Sequence, residues 1–76
     1  MAACDQQKQA IQKIITFYEN HNEEAFDGAE EFVDVDDNTV AQYMFLNGAW
    51  MFMGLMSRED AYLYMDGKVY IHTLKS

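Results

Sequence analysis

The chain has 76 residues, 13 of them acidic and five basic, for a formal net charge of -8. That length holds one domain with one small core, so residues 1–76 read as a single acidic unit. A surface of this sign repels nucleic acid and anionic membranes within the screening length. This argues against direct DNA or RNA binding and against a membrane partner, and favours a basic protein.

Half the residues are hydrophobic, with one tryptophan, five tyrosines, five phenylalanines and no proline, which excludes a disordered acidic tail. The single cysteine, Cys4, cannot build a disulfide framework or a cysteine metal site within one chain, and this fits a reducing compartment. The N-terminus lacks the basic start and apolar run of a signal peptide, and Asn47-Gly48 interrupts the longest apolar stretch. The expectation is a soluble cytoplasmic protein.

The first predicted element is a helix starting near Asp5, whose carboxylate suits an N-cap and the positive end of the helix dipole. Ala10, Ile11, Ile14, Ile15, Tyr18 and Ala25 recur at three-and-four spacing and predict one buried face. The pattern weakens at Asn20-His21-Asn22. The helix ends there or runs on to Phe26, with Asp27-Gly28 as the latest terminator.

From Phe32 the period changes to alternation. Asp37-Asn38, Asn47-Gly48 and Asp66-Gly67 are two-residue turn signals, and Ser57-Arg58-Glu59-Asp60 is a longer connection. They predict five strands, 32–36, 39–46, 49–56, 61–65 and 68–74, so the fold class is α+β with one N-terminal helix packed on a five-stranded antiparallel meander. The alternative takes Ser57 as an N-cap, residues 58–65 as a second short helix and Gly67 as its C′ residue, leaving four strands.

Turning the chain at Asn47-Gly48 sets Leu46 opposite Ala49, Met44 opposite Met51, Gln42 opposite Met53 and Val40 opposite Leu55. The other face then pairs Phe45 with Trp50 and Tyr43 with Phe52. Continuing through Asp37-Asn38 adds Val33 and Val35 to the aliphatic face and Phe32 and Asp34 to the aromatic one. The aliphatic face is the expected seat of the helix, and the aromatic face is left for a partner or a second copy of the chain, or is closed over by Tyr62, Tyr64 or Phe26 if the sheet curls.

Nine of the 13 acids lie between Glu19 and Asp37: Glu19, Glu23, Glu24, Asp27, Glu30, Glu31, Asp34, Asp36 and Asp37. No lysine or arginine occurs between Lys13 and Arg58. Such a run serves as a solvated face that keeps a protein soluble. It also competes for the lysines and arginines that hold phosphates, and alternate strand acids such as Asp34 and Asp36 would stand about 6.7 Å apart in a phosphate-like row. The expected partner-binding set is Glu23, Glu24, Asp27, Glu30, Glu31, Asp34, Asp36 and Asp37 with Tyr43, Phe45, Trp50 and Phe52.

Asp34, Asp36 and Asn38 match the first three ligand positions of a calcium-binding EF-hand loop. Thr39 and Phe45 stand where that loop needs glycine and glutamate, so no calcium site is expected. His21, His72 and Cys4 show no ligand spacing, and glycine-rich phosphate loops and nucleophile elbows are absent. The reading is of a non-enzyme with no metal and no cofactor.

The short helix, Asp27-Gly28, the acidic stretch, Asp36-Asp37-Asn38-Thr39-Val40 and the following hairpin resemble the small acidic phage-encoded anti-CRISPR inhibitors. The resemblance is one of size, charge and element order and runs to Phe45; beyond it the chain is aromatic and methionine-rich where an acidic helix would be expected. Some members of that group mimic DNA and occupy the basic channel of a type I interference complex. The resemblance implies an inhibitor of a nucleic-acid-handling protein acting in the host cytoplasm. The reading from another class is a structural or accessory subunit that oligomerises through the aromatic sheet face.

Overall fold

The computed structural model of the protein describes residues 2–74, with side chains described from Asp5 onward. The Cys4 side chain lies outside the described set. The element order is α1 (Ala2–Asn20), β1 (Glu30–Asp34), β2 (Thr39–Leu46), β3 (Ala49–Ser57), α2 (Arg58–Tyr64) and β4 (Ile71–His72). The fold is α+β, as expected. The sheet is four-stranded in the order β3-β2-β1-β4, with β4 parallel to β1, so the five-stranded antiparallel meander is corrected.

Helix α1 begins at Ala2, which places Asp5 in the first turn instead of at the cap. It ends where the apolar period fails. Asn22 takes a φ of 54°, its N–H reaches the Glu19 carbonyl, and the Glu23 N–H reaches the Tyr18 carbonyl. That pair of bonds is a Schellman cap, and asparagine tolerates the left-handed conformation it needs. The predicted stripe is the buried one: Ala10 and Ile14 are fully buried, with Ile11, Ile15 and Tyr18 packed beside them. The fully buried Ile14 contributes about 1.5–3 kcal/mol by leaving water.

The Asn47-Gly48 turn forms as read, with positive φ at both residues. Phe45 lies opposite Trp50, Tyr43 opposite Phe52, and Met44 opposite Met51. A β-bulge follows, leaving Met53 without a partner on β2 and setting Gln42 opposite Gly54, Ala41 opposite Leu55 and Val40 opposite Met56. The expected pairs Gln42 with Met53 and Val40 with Leu55 are therefore displaced by one residue. Gly54, at a φ of 142°, supplies the backbone freedom that this irregularity requires.

The second slip lies between β1 and β2. Asp37-Asn38 does not form a two-residue turn. The connection runs through residues 35–38, closed by the Val35 N–H on the Thr39 carbonyl and by the Asn38 N–H on the Asp36 side chain at 2.9 Å. Asp34 then lies opposite Val40 and Val33 opposite Ala41. A shift of one residue exchanges the faces of a strand. Val33 and Glu31 join Tyr43, while Phe32 and Asp34 join Val40.

These two slips decide what covers what. Helix α1 packs on Val33, Ala41, Tyr43 and Trp50, the face expected to be open. The opposite face, carrying Phe32, Val40 and Met56, is covered at one end by Ala61 of α2 and by Met65, Val69 and Ile71.

Residues 58–64 are the second helix of the alternative reading. Ser57 caps it, its Oγ accepting the Asp60 N–H at 3.0 Å. The Asp66-Gly67 signal serves a cap instead of a hairpin. Asp66 is the left-handed C′ residue at a φ of 55°, and the Gly67 N–H, one position later than expected for that glycine, returns to the Tyr62 carbonyl at 2.7 Å. Among the described residues no helix is long and apolar enough to cross a membrane.

Candidate functional site

The acids of the 19–37 segment divide into those that hold the fold and those that face solvent. Asp27 accepts the Asn47 N–H at 3.1 Å and ties the loop after α1 to the hairpin turn. Glu30, on the α2 side of the sheet, accepts the Tyr64 hydroxyl at 2.9 Å. Asp34 accepts the Leu74 N–H at 2.8 Å and lies 3.9 Å from the Arg58 guanidinium. Asp34 and Asp36 do not form the expected row of alternate strand acids, because Asp36 sits in the loop and closes its turn.

Arg58 supplies the counter-charge that the sequence lacks locally. Its side chain donates to the Asp37 carbonyl at 3.1 Å and the Asp36 carbonyl at 3.3 Å, while its N–H donates to the Asn38 carbonyl. One cation thus closes the Asp34–Asn38 loop from the first turn of α2. Local spacing hid it, because the arginine is 21 residues from Asp37.

Glu31 is the most enclosed of the acids that make side-chain bonds. One carboxylate oxygen accepts the Tyr18 hydroxyl and the other accepts His72 Nε2–H at 2.7 Å. A carboxylate has no donor of its own, so this geometry assigns the proton to Nε2 of His72. Burial first, then the Glu31 hydrogen bond and the nearby charges of Glu31 and Glu23, push the Tyr18 hydroxyl pKa well above its ordinary value. Tyr18 therefore remains a donor. His72 is itself only 4 % exposed, with the Phe17 ring edge-on to it at 4.8 Å. This network was missed in the sequence, where its three members are separated by 13 and 41 residues. His21 is exposed, its Nδ1 2.8 Å from the Phe17 carbonyl.

The aromatic members also divide. Tyr43 is fully buried beneath α1, and burial raises its hydroxyl pKa. Trp50 is 9 % exposed, Phe45 is half-buried, and Phe52 keeps 42 % of its surface. The continuous exposed aromatic face is therefore corrected, and with it the premise that nothing in the chain covers it.

What remains is smaller and better defined. Tyr18, Phe45 and Trp50 meet at the end of α1, with Tyr18 and Trp50 ring centres 5.5 Å apart and Phe45 and Trp50 ring centres 5.1 Å apart. Glu19, Glu23 and Glu24 line the same groove, of about 330 Å³, with Ile15 and Ala25 completing it. The three glutamates are exposed, and the Asn22 cap sets the direction of the loop that carries Glu23 and Glu24. Chemically this is a cation acceptor: carboxylates at the rim and aromatic rings in the floor both attract a guanidinium or ammonium. A groove of this size, at the small end of the roughly 300–1,000 Å³ of ligand pockets, takes one or two side chains.

Compared with known proteins, the chain matches no family model, no curated protein and no solved structure. Its chemistry must be read from its own residues. Among the described residues no three His, Cys, Asp or Glu side chains converge as metal donors. Of the twelve residues expected to bind a partner, the groove brings together Glu23, Glu24, Phe45 and Trp50, and adds Tyr18 and Glu19 to them.

Proposed function

We propose that this chain is a non-catalytic inhibitor of the phage anti-CRISPR kind, binding a basic nucleic-acid-handling protein such as a CRISPR-Cas effector in the place of nucleic acid. The carrying observation is the convergence of Glu19, Glu23 and Glu24 on the Tyr18, Phe45 and Trp50 rings, which suits an arginine or lysine that otherwise contacts phosphate. The net charge of -8 adds long-range attraction for a basic groove.

Charge reversal at Asp34 does not test this reading cleanly, because Asp34 anchors both Leu74 and Arg58. The Glu23→Lys/Glu24→Lys double variant does. Trp50 is the only tryptophan, so its fluorescence reports on the groove floor during titration with an arginine-rich peptide. Binding that weakens steeply with salt, and that disappears in the double variant, is the expected result. A peptide that leaves Trp50 emission unchanged at low salt, or binds the double variant equally well, overturns the proposal. The same double variant used in a low-salt pull-down from host lysate identifies the natural target by loss of a basic protein.

A further inference from the structure

β3 is an edge strand of nine residues, AWMFMGLMS, and β2 covers one of its sides. Natural edges are usually blunted by lysine, proline, inward-facing charge or a β-bulge, because an open row of backbone N–H and C=O groups pairs with other strands. Of these β3 has only the bulge at Met53. The chain carries no charged residue from Asn38 to Ser57, and β3 exposes Met51, Phe52, Met53 and Leu55 by 42–61 %. The bulge leaves Met53 without a partner on β2 and divides the open edge into the stretches on either side of it.

We infer that β3 is the contact by which two copies of this chain associate, edge to edge and antiparallel about a two-fold axis, giving one continuous eight-stranded sheet. A second copy is the occupant that the charges select. In an acidic chain self-association is opposed by like charge, yet β3 itself carries none, and Glu30, Glu31 and Asp34 lie on β1, two strands in from the β3 edge; Glu19, Glu23 and Glu24 come nearer, over Trp50 at the start of β3. Across the paired sheet, β1 of one copy is five strand spacings from β1 of the other. At about 4.8 Å each that is roughly 24 Å, some three times the ~8 Å screening length at physiological salt. The repulsion between the two sets of β1 acids is thus screened in this pairing.

The area is consistent with a reversible dimer. The exposed parts of the four side chains, which stand on both faces of the sheet, amount to roughly 400 Å², an upper bound that is about half of the ~800 Å² each partner gives to a standard interface. The backbone edge of β3 supplies further area and the hydrogen bonds that fix register. A contact of this size is expected to be reversible, so the dimer should depend on concentration.

The test is sedimentation of the full chain over a range of concentrations at physiological salt. The expected mass rises from 8.8 kDa toward twice that value as concentration increases. Met53→Lys/Leu55→Lys is expected to remain monomeric at every concentration, with the near-ultraviolet dichroism of Trp50 unchanged. Tyr70→Lys, which alters an exposed aromatic beside β4 at the opposite edge of the sheet, is expected to dimerise like the parent. If the double lysine variant fails to fold, Met51→Lys alone takes its place. A parent chain that stays monomeric at hundreds of micromolar overturns the inference, and so does a dimer that survives the β3 substitutions.

Discussion

Replacing Glu31 removes one carboxylate and leaves two donors facing each other across the gap. In Glu31→Ala, His72 Nε2–H loses its acceptor in a residue only 4 % exposed, and the half-buried Tyr18 hydroxyl loses its own. An unmatched buried donor costs about 1–3 kcal/mol, and Tyr18 recovers part of its share from water, so the sum is about 2–4 kcal/mol. At ~0.1 kcal/mol per residue the whole domain is stable by about 8 kcal/mol, which makes this a quarter to a half of the total. With a urea m value of about 1 kcal/mol/M for so small a chain, the unfolding midpoint falls by about 2–4 M at constant slope. Glu31→Gln keeps one acceptor oxygen but turns an amide N–H₂ toward the other donor, and about half the loss is expected. Glu24→Ala, at an exposed position, serves as the control and stays within about 0.5 kcal/mol of the parent. If Glu31→Ala shifts the midpoint no more than Glu24→Ala does, the network does not hold α1 and β4 to the sheet and the reasoning fails.

Two further outcomes follow from the same geometry. Ser57→Ala deletes the acceptor of the Asp60 N–H and is expected to cost about 1 kcal/mol, read as a lower melting temperature without loss of the β-sheet dichroism. An unchanged melting temperature would mean that Arg58 alone sets the start of α2. Tyr18 and Tyr43 have pKa values raised above 10.0, so the folded chain holds these protons more tightly than the unfolded chain. Their contribution is intact below pH 10.0 and is lost as pH climbs from there through the folded values. Melting temperature should therefore fall above pH 10.0 together with the rise of tyrosinate absorbance, and Tyr18→Phe should flatten the decline; a parallel decline in that variant would refute it.

Local chemistry was legible where one short segment decides it. The helical stripe of Ala10, Ile14 and Tyr18 packs as its period predicts, and Asn47-Gly48 turns the chain with positive φ at both residues. The Ser57 cap was legible too, as the alternative to a strand. The turn signal at Asp66-Gly67 was real but ambiguous: an Asp-Gly pair suits a hairpin and a Schellman cap equally, because each needs left-handed backbone. The acidic stretch was legible as composition, but the division of labour within it was not. Glu31 and Glu24 look alike in the sequence, yet one accepts two side-chain donors and the other lines an open groove.

By itself, then, the sequence determined the α+β class, the buried face of α1, the central hairpin and the concentration of negative charge between Glu19 and Asp37. Tertiary structure alone decided which sheet face α1 covers, because a one-residue slip at 35–38 and a bulge at Met53 each reverse the side chains beyond them and cost little locally. It also decided that β4 joins β1 in parallel, that Arg58 closes the acidic loop, and that Glu23 and Glu24 stand over Trp50. All three depend on residues more than 20 positions apart, whose meeting is set by the packing of the whole chain.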